Sequence, residues 1–201
     1  MLKELEQNNI LLLGEPETGK EYFSKELVKG DLIYVSIEKS PKEVRELFKP
    51  KFIVDCYTER LGVKSAEKFY ISYAYDLDEI IRNIFMAREE TAKDTTVIID
   101  SLSTLVVTLG LVPVYRFVQR LFALGREKNT RIVIMLHKGM HKDEVEVSIR
   151  HLADATLFLE RDVEMGEEVY HVDFGKLYSG KYKRIKYRIN NNKIVFDRFT
   201  I

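Results

Sequence analysis

The chain has 201 residues, 45% of them hydrophobic, with Lys+Arg and Asp+Glu balanced at 32 each. That size suits one α/β domain with a substantial core, and the balance excludes a global field drawing the chain to nucleic acid or an anionic membrane. A single cysteine, Cys56, excludes an internal disulfide framework and fits a cytoplasmic protein.

The charged opening MLKELEQNN lacks the apolar segment of a signal peptide. Ile10 to Leu13 is a continuous apolar run bounded by Gly14, which predicts a parallel strand buried on both faces. Lys20 to Val28 follows as a helix, ended by Gly30, and Leu32 to Ile37 as a second strand. Ser40, Pro41 and Glu43 spell a helix start, with Ser40 as N-cap and Glu43 completing a capping box. Lys51 to Cys56 and Lys68 to Tyr73 are short strand candidates. In Asp76 to Thr91 the apolar residues Leu77, Ile80, Ile81, Ile84 and Phe85 recur at helical spacing.

Thr95 to Ile99 is a strand leading into Asp100. The longest apolar stretch, Leu102 to Val114, is broken by Ser, Thr, Gly and Pro and is too short to span a bilayer, so no membrane partner is expected. Pro113 to Lys128 predicts a helix, Arg131 to Leu136 a buried strand, His137 to Val145 a polar loop and Ser148 to Ala153 a short helix. After the strand Ala155 to Leu159 the period changes to alternation: Val169, His171 and Asp173, then Ile185, Tyr187 and Ile189, then Ile194 and Phe196, with a turn at Asn190 to Lys193. Strand–helix alternation followed by hairpins predicts a three-layer α/β fold, a mostly parallel central sheet with helices on both faces and antiparallel C-terminal strands. Residues 1–201 are expected to form a single domain.

The organising stretch is Leu11 to Lys25. Gly14, Gly19 and Lys20 have the spacing of a phosphate-binding loop, G-x-x-x-x-G-K-[ST], with Glu21 in place of the hydroxyl residue that would hold Mg²⁺. Its expected nucleotide contacts are Gly14, Glu15, Pro16, Glu17, Thr18, Gly19, Lys20, Glu21 and Tyr22. Glu15, Glu17 and Glu21 put carboxylates around the phosphate site. At ~4 Å and an effective dielectric near 20, one such repulsion costs about 4 kcal/mol, roughly a thousandfold in affinity. Mg²⁺ bridging Glu21 to the phosphates would recover part of that; alternatively, Glu21 caps the helix dipole and pairs with Lys25. Thr96 to Asp100, an apolar strand ending in an acid, has the pattern of a Walker B element whose Asp orders Mg²⁺.

Three further segments carry a resemblance. YVSIEKSPKEV at Tyr34 to Val44, IIDSLSTL at Ile98 to Leu105 and RHLADATLFLE at Arg150 to Glu160 resemble, in order, segments of archaeal-type KaiC-like ATPases of the RecA superfamily. The resemblance covers nearly the whole chain and implies ATP with Mg²⁺ as ligands, Glu38 as the water-activating glutamate, and Asp100, here joined by Glu21, at the metal. The family's second glutamate is Lys39, and Glu17 and Glu21 replace a Gly and a Thr of its phosphate loop. Lys176 to Ser179 is similar to the segment that reaches a neighbouring subunit's nucleotide. Lys176 is kept as a catalytic group acting in trans, and Tyr178 replaces the arginine finger, a loss that typically costs a factor of about 10³ to 10⁵ in turnover.

Three functions stay open: a slow ATPase working as a homo-oligomer, an adaptor that meets a partner protein through the cleft face without nucleotide, and a recombinase-like module using the basic segment Lys181 to Arg188 on DNA. For that segment the working reading is a charged guard on an edge strand, with Arg184, Lys186 and Arg188 on its outer face. His137, His141 and His151 are read as solvated rather than metal-binding.

Overall fold

The computed structural model describes residues 9–176 and 184–197, and among these not the side chains of Glu167 and Lys176. In chain order the elements are β1 (Asn9–Gly14), α1 (Lys20–Glu26), β2 (Asp31–Ser36), α2 (Pro41–Phe48), β3 (Phe52–Asp55), β4 (Phe69–Tyr70), α3 (Leu77–Glu89), β5 (Thr95–Asp100), α4 (Leu102–Leu109), α5 (Leu111–Glu127), β6 (Arg131–His137), α6 (Asp143–Leu152), β7 (Ala155–Glu164), β8 (Glu167–Lys176), β9 (Arg184–Asn190) and β10 (Lys193–Phe196). The strands form one sheet in the order β10-β9-β8-β7-β1-β6-β5-β2-β3-β4. From β7 to β4 the neighbours run parallel, and β8, β9 and β10 are added antiparallel.

Strand alternation explains why the central runs are apolar throughout. Leu11 and Leu13 face one core with α3, α4, α5 and α6. Ile10 and Leu12 face the other, formed with α1, α2 and the side chains of β8, β9 and β10. The C-terminal strands therefore do more than widen the sheet, because their inner face packs over α1. Phe23 of α1 meets Tyr187 and Phe196 edge-on, with ring centroids 5.6 and 5.9 Å apart.

The helix starts follow their residue chemistry. Ser40 Oγ accepts from the Glu43 amide while Glu43 Oε2 accepts from the Ser40 amide, completing the capping box, and Asp76 caps α3.

The structure differs from the sequence expectations in three places. Leu102 to Leu109 is a helix of its own, separated from α5 by Gly110 at φ 82°. Pro113 lies in the first turn of α5, where its missing N–H leaves no bond unmade. α6 begins at Asp143 rather than Ser148, with Asp143, Glu144 and Glu146 in its first turn. β7 runs on to Glu164 despite its charged residues, because β8 pairs with it residue by residue to a turn at Met165 and Gly166, both at positive φ. Among the described residues no helix is long and apolar enough to cross a membrane.

Candidate functional site

The parallel register gathers the candidate residues at the carboxyl edge of the sheet. Gly14 is level with His137 across β1 and β6, and Ser36 is level with Asp100 across β2 and β5. The amides of Ile37 and Glu38 both donate to the Asp100 carbonyl, at 3.0 and 3.3 Å, which places Glu38 beside Asp100 at the carboxyl ends of β2 and β5.

On the phosphate side, the loop from Gly14 to Lys20 is folded around its own lysine. Lys20 Nζ donates to the carbonyls of Gly14 (2.8 Å) and Glu15 (2.7 Å), and the residue is only 5% exposed. Thr18 Oγ1 also donates to the Glu15 carbonyl, and the Lys138 amide to that of Gly14. Burial lowers the Lys20 pKa, against the nearby charges of Glu21, Asp100 and Glu38.

Gly19 stands at φ 73° as the N-cap of α1 and supplies no capping side chain. A Cβ there would lie 2.5 Å from Ile189 Cδ1. Nearby, the Tyr187 hydroxyl donates to the Thr18 carbonyl at 2.7 Å in a buried bond. The loop is thus clasped from outside by β9. Glu17 adopts φ 64°, a left-handed conformation that suits glycine, and its carboxylate turns outward to Arg161 at 2.9 Å. Of the three loop carboxylates, Glu17 is therefore paired away from the lysine.

On the metal side, the residue that dominates is Lys39. Its Nζ lies 2.6 Å from Asp100 Oδ2 and 3.5 Å from Glu21 Oε1. Burial would lower its pKa, but the charges of Asp100 and Glu21 prevail and raise it, so it is an ammonium at neutral pH. Tyr34, fully buried on β2, donates its hydroxyl to the same Asp100 oxygen at 2.5 Å. Burial, with Asp100 beside it, holds that phenol well above its ordinary range and keeps it a donor. Glu21 finds Lys39 rather than Lys25, whose ammonium lies over the rings of Tyr22 and Phe48.

Glu38 Oε1 accepts from Ser101 Oγ at 2.8 Å and from Thr104 Oγ1 at the start of α4. Burial alone would push its carboxyl up. The two hydroxyls, with the charges of His137 and Lys39, outweigh that and leave it below its ordinary value. His137 Nδ1 is buried without a hydrogen-bond partner, and burial together with Lys20 lowers the imidazole pKa.

The loop lysine, the uncapped helix and the orphaned His137 nitrogen suit a phosphate group. The Mg²⁺ positions do not suit the ion as they stand: Glu21 and Asp100 are already bridged by an ammonium. Among the described residues no three His, Cys, Asp or Glu side chains gather to hold a metal. Pro16 lies in the loop and Tyr22 in the first turn of α1. Lys176 ends β8, and residues 177–183, with Tyr178, Lys181 and Lys183 among them, lie outside the described residues. The rest of the basic segment is neutralised. Arg184 pairs with Asp173 and Glu160, Lys186 with Glu164, and Arg188 with Asp197. Tyr34, Ser101, Thr104, Tyr187 and Ile189 are site residues that sequence reasoning missed.

The family model described as the KaiC ATPase matches residues 5–198. A UPF0273 protein of Thermotoga maritima is 32% identical over 123 residues, 51% of this chain and 50% of that protein. The chain thus spans about half the length of that curated relative. A KaiC-like protein of the hyperthermophilic archaeon Pyrococcus horikoshii superposes with a TM-score of 0.70 at 16% identity, covering 95% of this chain and 90% of that one. The flagellar accessory protein FlaH of Methanocaldococcus jannaschii superposes with a TM-score of 0.61 at 18% identity, again over 95% and 90% of the two chains. At these identities the two structures establish likeness of fold.

Proposed function

The chain belongs to the KaiC family of ATPases and has its RecA-like P-loop fold, and on that premise we propose that it binds ATP weakly at Gly14 to Lys20, hydrolyses it slowly at most, and acts as a regulator. The observation that carries this is the asymmetry of the cleft. The phosphate side keeps Lys20 within the loop, bonded to the Gly14 carbonyl at 2.8 Å, whereas on the metal side Lys39 holds Asp100 at 2.6 Å. Glu38 would address water with a carboxylate that already accepts two hydroxyls and is held below its usual range, which makes it a weaker base. Contact through the cleft face, with a second copy or another protein, belongs to the same proposal.

One observation favours a nucleotide-independent adaptor instead. Lys20 is satisfied by two loop carbonyls, so the loop is self-complementary without a phosphate. DNA binding has less support, because Arg184, Lys186 and Arg188 each have an acidic partner. Calorimetric titration with ATP separates the first two. Submillimolar binding that disappears in Lys20→Ala supports the nucleotide reading, and no heat at millimolar ATP leaves the adaptor.

A further inference from the structure

Lys39 occupies the position between two carboxylates that a divalent cation would need. Mg²⁺ requires an octahedron of oxygens at about 2.0–2.1 Å and gives up its waters reluctantly. Here Asp100 Oδ2 already receives the Lys39 ammonium at 2.6 Å and the Tyr34 hydroxyl at 2.5 Å, and Glu21 Oε1 lies 3.5 Å from the same ammonium. The lysine is anchored rather than free to swing. Its carbonyl accepts from Ser36 Oγ, the next residue starts the capping box of α2, and its side chain is only 20% exposed.

We propose that the Lys39 ammonium replaces the divalent cation, so that the cleft takes its nucleoside triphosphate as the metal-free polyanion. This rests on the nucleotide reading above and specifies the form of the ligand. A magnesium complex has to displace Lys39 from Asp100 before a carboxylate oxygen can reach the ion. A free triphosphate instead meets two fixed ammonium groups, Lys20 on the loop and Lys39 across the cleft, and needs no third positive charge to be held. The same substitution removes the metal that would polarise the outer phosphate, which matches slow turnover.

Two measurements test this separately from the reading beneath it. In titrations with ATP in EDTA and in excess Mg²⁺, the wild type binds at least about tenfold more tightly in EDTA, because excess Mg²⁺ leaves little free triphosphate, whereas Lys39→Gln binds at least about tenfold more tightly with Mg²⁺ than without. Lys39→Arg, which keeps the charge, behaves as wild type and shows that the change is electrostatic rather than a loss of folding. Wild-type binding that is as tight or tighter with Mg²⁺ overturns the proposal. The second measurement uses no nucleotide: the free Mn²⁺ resonance in electron paramagnetic spectra is unchanged by the wild-type protein, falls with Lys39→Gln, and recovers in Lys39→Gln/Asp100→Asn. Wild-type protein that takes up Mn²⁺ as well as Lys39→Gln does overturns the replacement of the cation. No heat with ATP in either buffer overturns the nucleotide reading and the ligand named here, while the Mn²⁺ spectra still decide whether Lys39 fills the cation position.

Discussion

Replacing Tyr187 with Phe removes one oxygen from the clasp on the phosphate loop and leaves the ring in place. The ring is fully buried, packs edge-on against Phe23 at 5.6 Å and stacks on Tyr170 at 5.6 Å, so those contacts survive the change. What is lost is the 2.7 Å bond to the Thr18 carbonyl, which then stays buried and unpaired. Burial pushes the Tyr187 phenol up, so the hydroxyl is a donor throughout the accessible pH range. Leaving such a carbonyl unsatisfied costs ~1–3 kcal/mol. At about 2–4 °C per kcal/mol for a chain of this size, a central loss of about 2 kcal/mol lowers Tm by about 4–8 °C. Urea unfolding followed by circular dichroism measures this directly, with an unchanged slope showing that only stability has moved. Tyr170→Phe is the internal control. Its hydroxyl donates to exposed Glu168 at 3.0 Å, and its loss should stay within about 0.5 kcal/mol. Tyr187→Phe as stable as wild type, or Tyr170→Phe equally destabilised, refutes the clasp.

Two other consequences can be measured. The folded His137 imidazole titrates below its ordinary 6.5, so between the two values the unfolded chain holds the extra proton. Its contribution to stability is complete above 6.5 and is lost as pH falls through the folded value; His137→Gln flattens that part of a stability–pH curve, and an unaltered slope in the variant contradicts the assignment. Glu21→Thr raises ATP affinity in calorimetry, and Glu17→Gly adds less, because the Glu17 carboxylate is already turned to Arg161. A double variant that folds and binds no better than wild type disproves the electrostatic argument for a weakened loop.

Much of the frame was legible because it rests on short-range rules. Apolar runs marked β1, β2, β5 and β6, the Ser40 to Glu43 pattern marked the start of α2, and the glycine spacing marked the loop. The boundaries that escaped are set by tertiary pairing. The charged half of β7, beyond the strand expected to end at Leu159, becomes strand because β8 lies beside it, and Leu102 to Leu109 reads as an interrupted apolar run until Gly110 is seen to divide two helices. In the site, Lys39 was visible only as a departure from the family pattern. Its partners come from β5 and α1, well apart in sequence, and no local rule brings them together. A lysine where a glutamate is expected, with Glu21 and Asp100 still acidic, was the available signal. Nothing comparable pointed to Tyr34 or Tyr187, whose hydroxyls find acceptors that only the folded chain brings near, Asp100 at the end of β5 and the Thr18 carbonyl of the loop.

The bond from Tyr187 to Thr18 joins positions 169 residues apart. During synthesis on the ribosome the first loop emerges early and must wait, unlatched, for a strand that leaves the exit tunnel far later. The latched form of the loop thus arrives with the hairpin rather than with the motif.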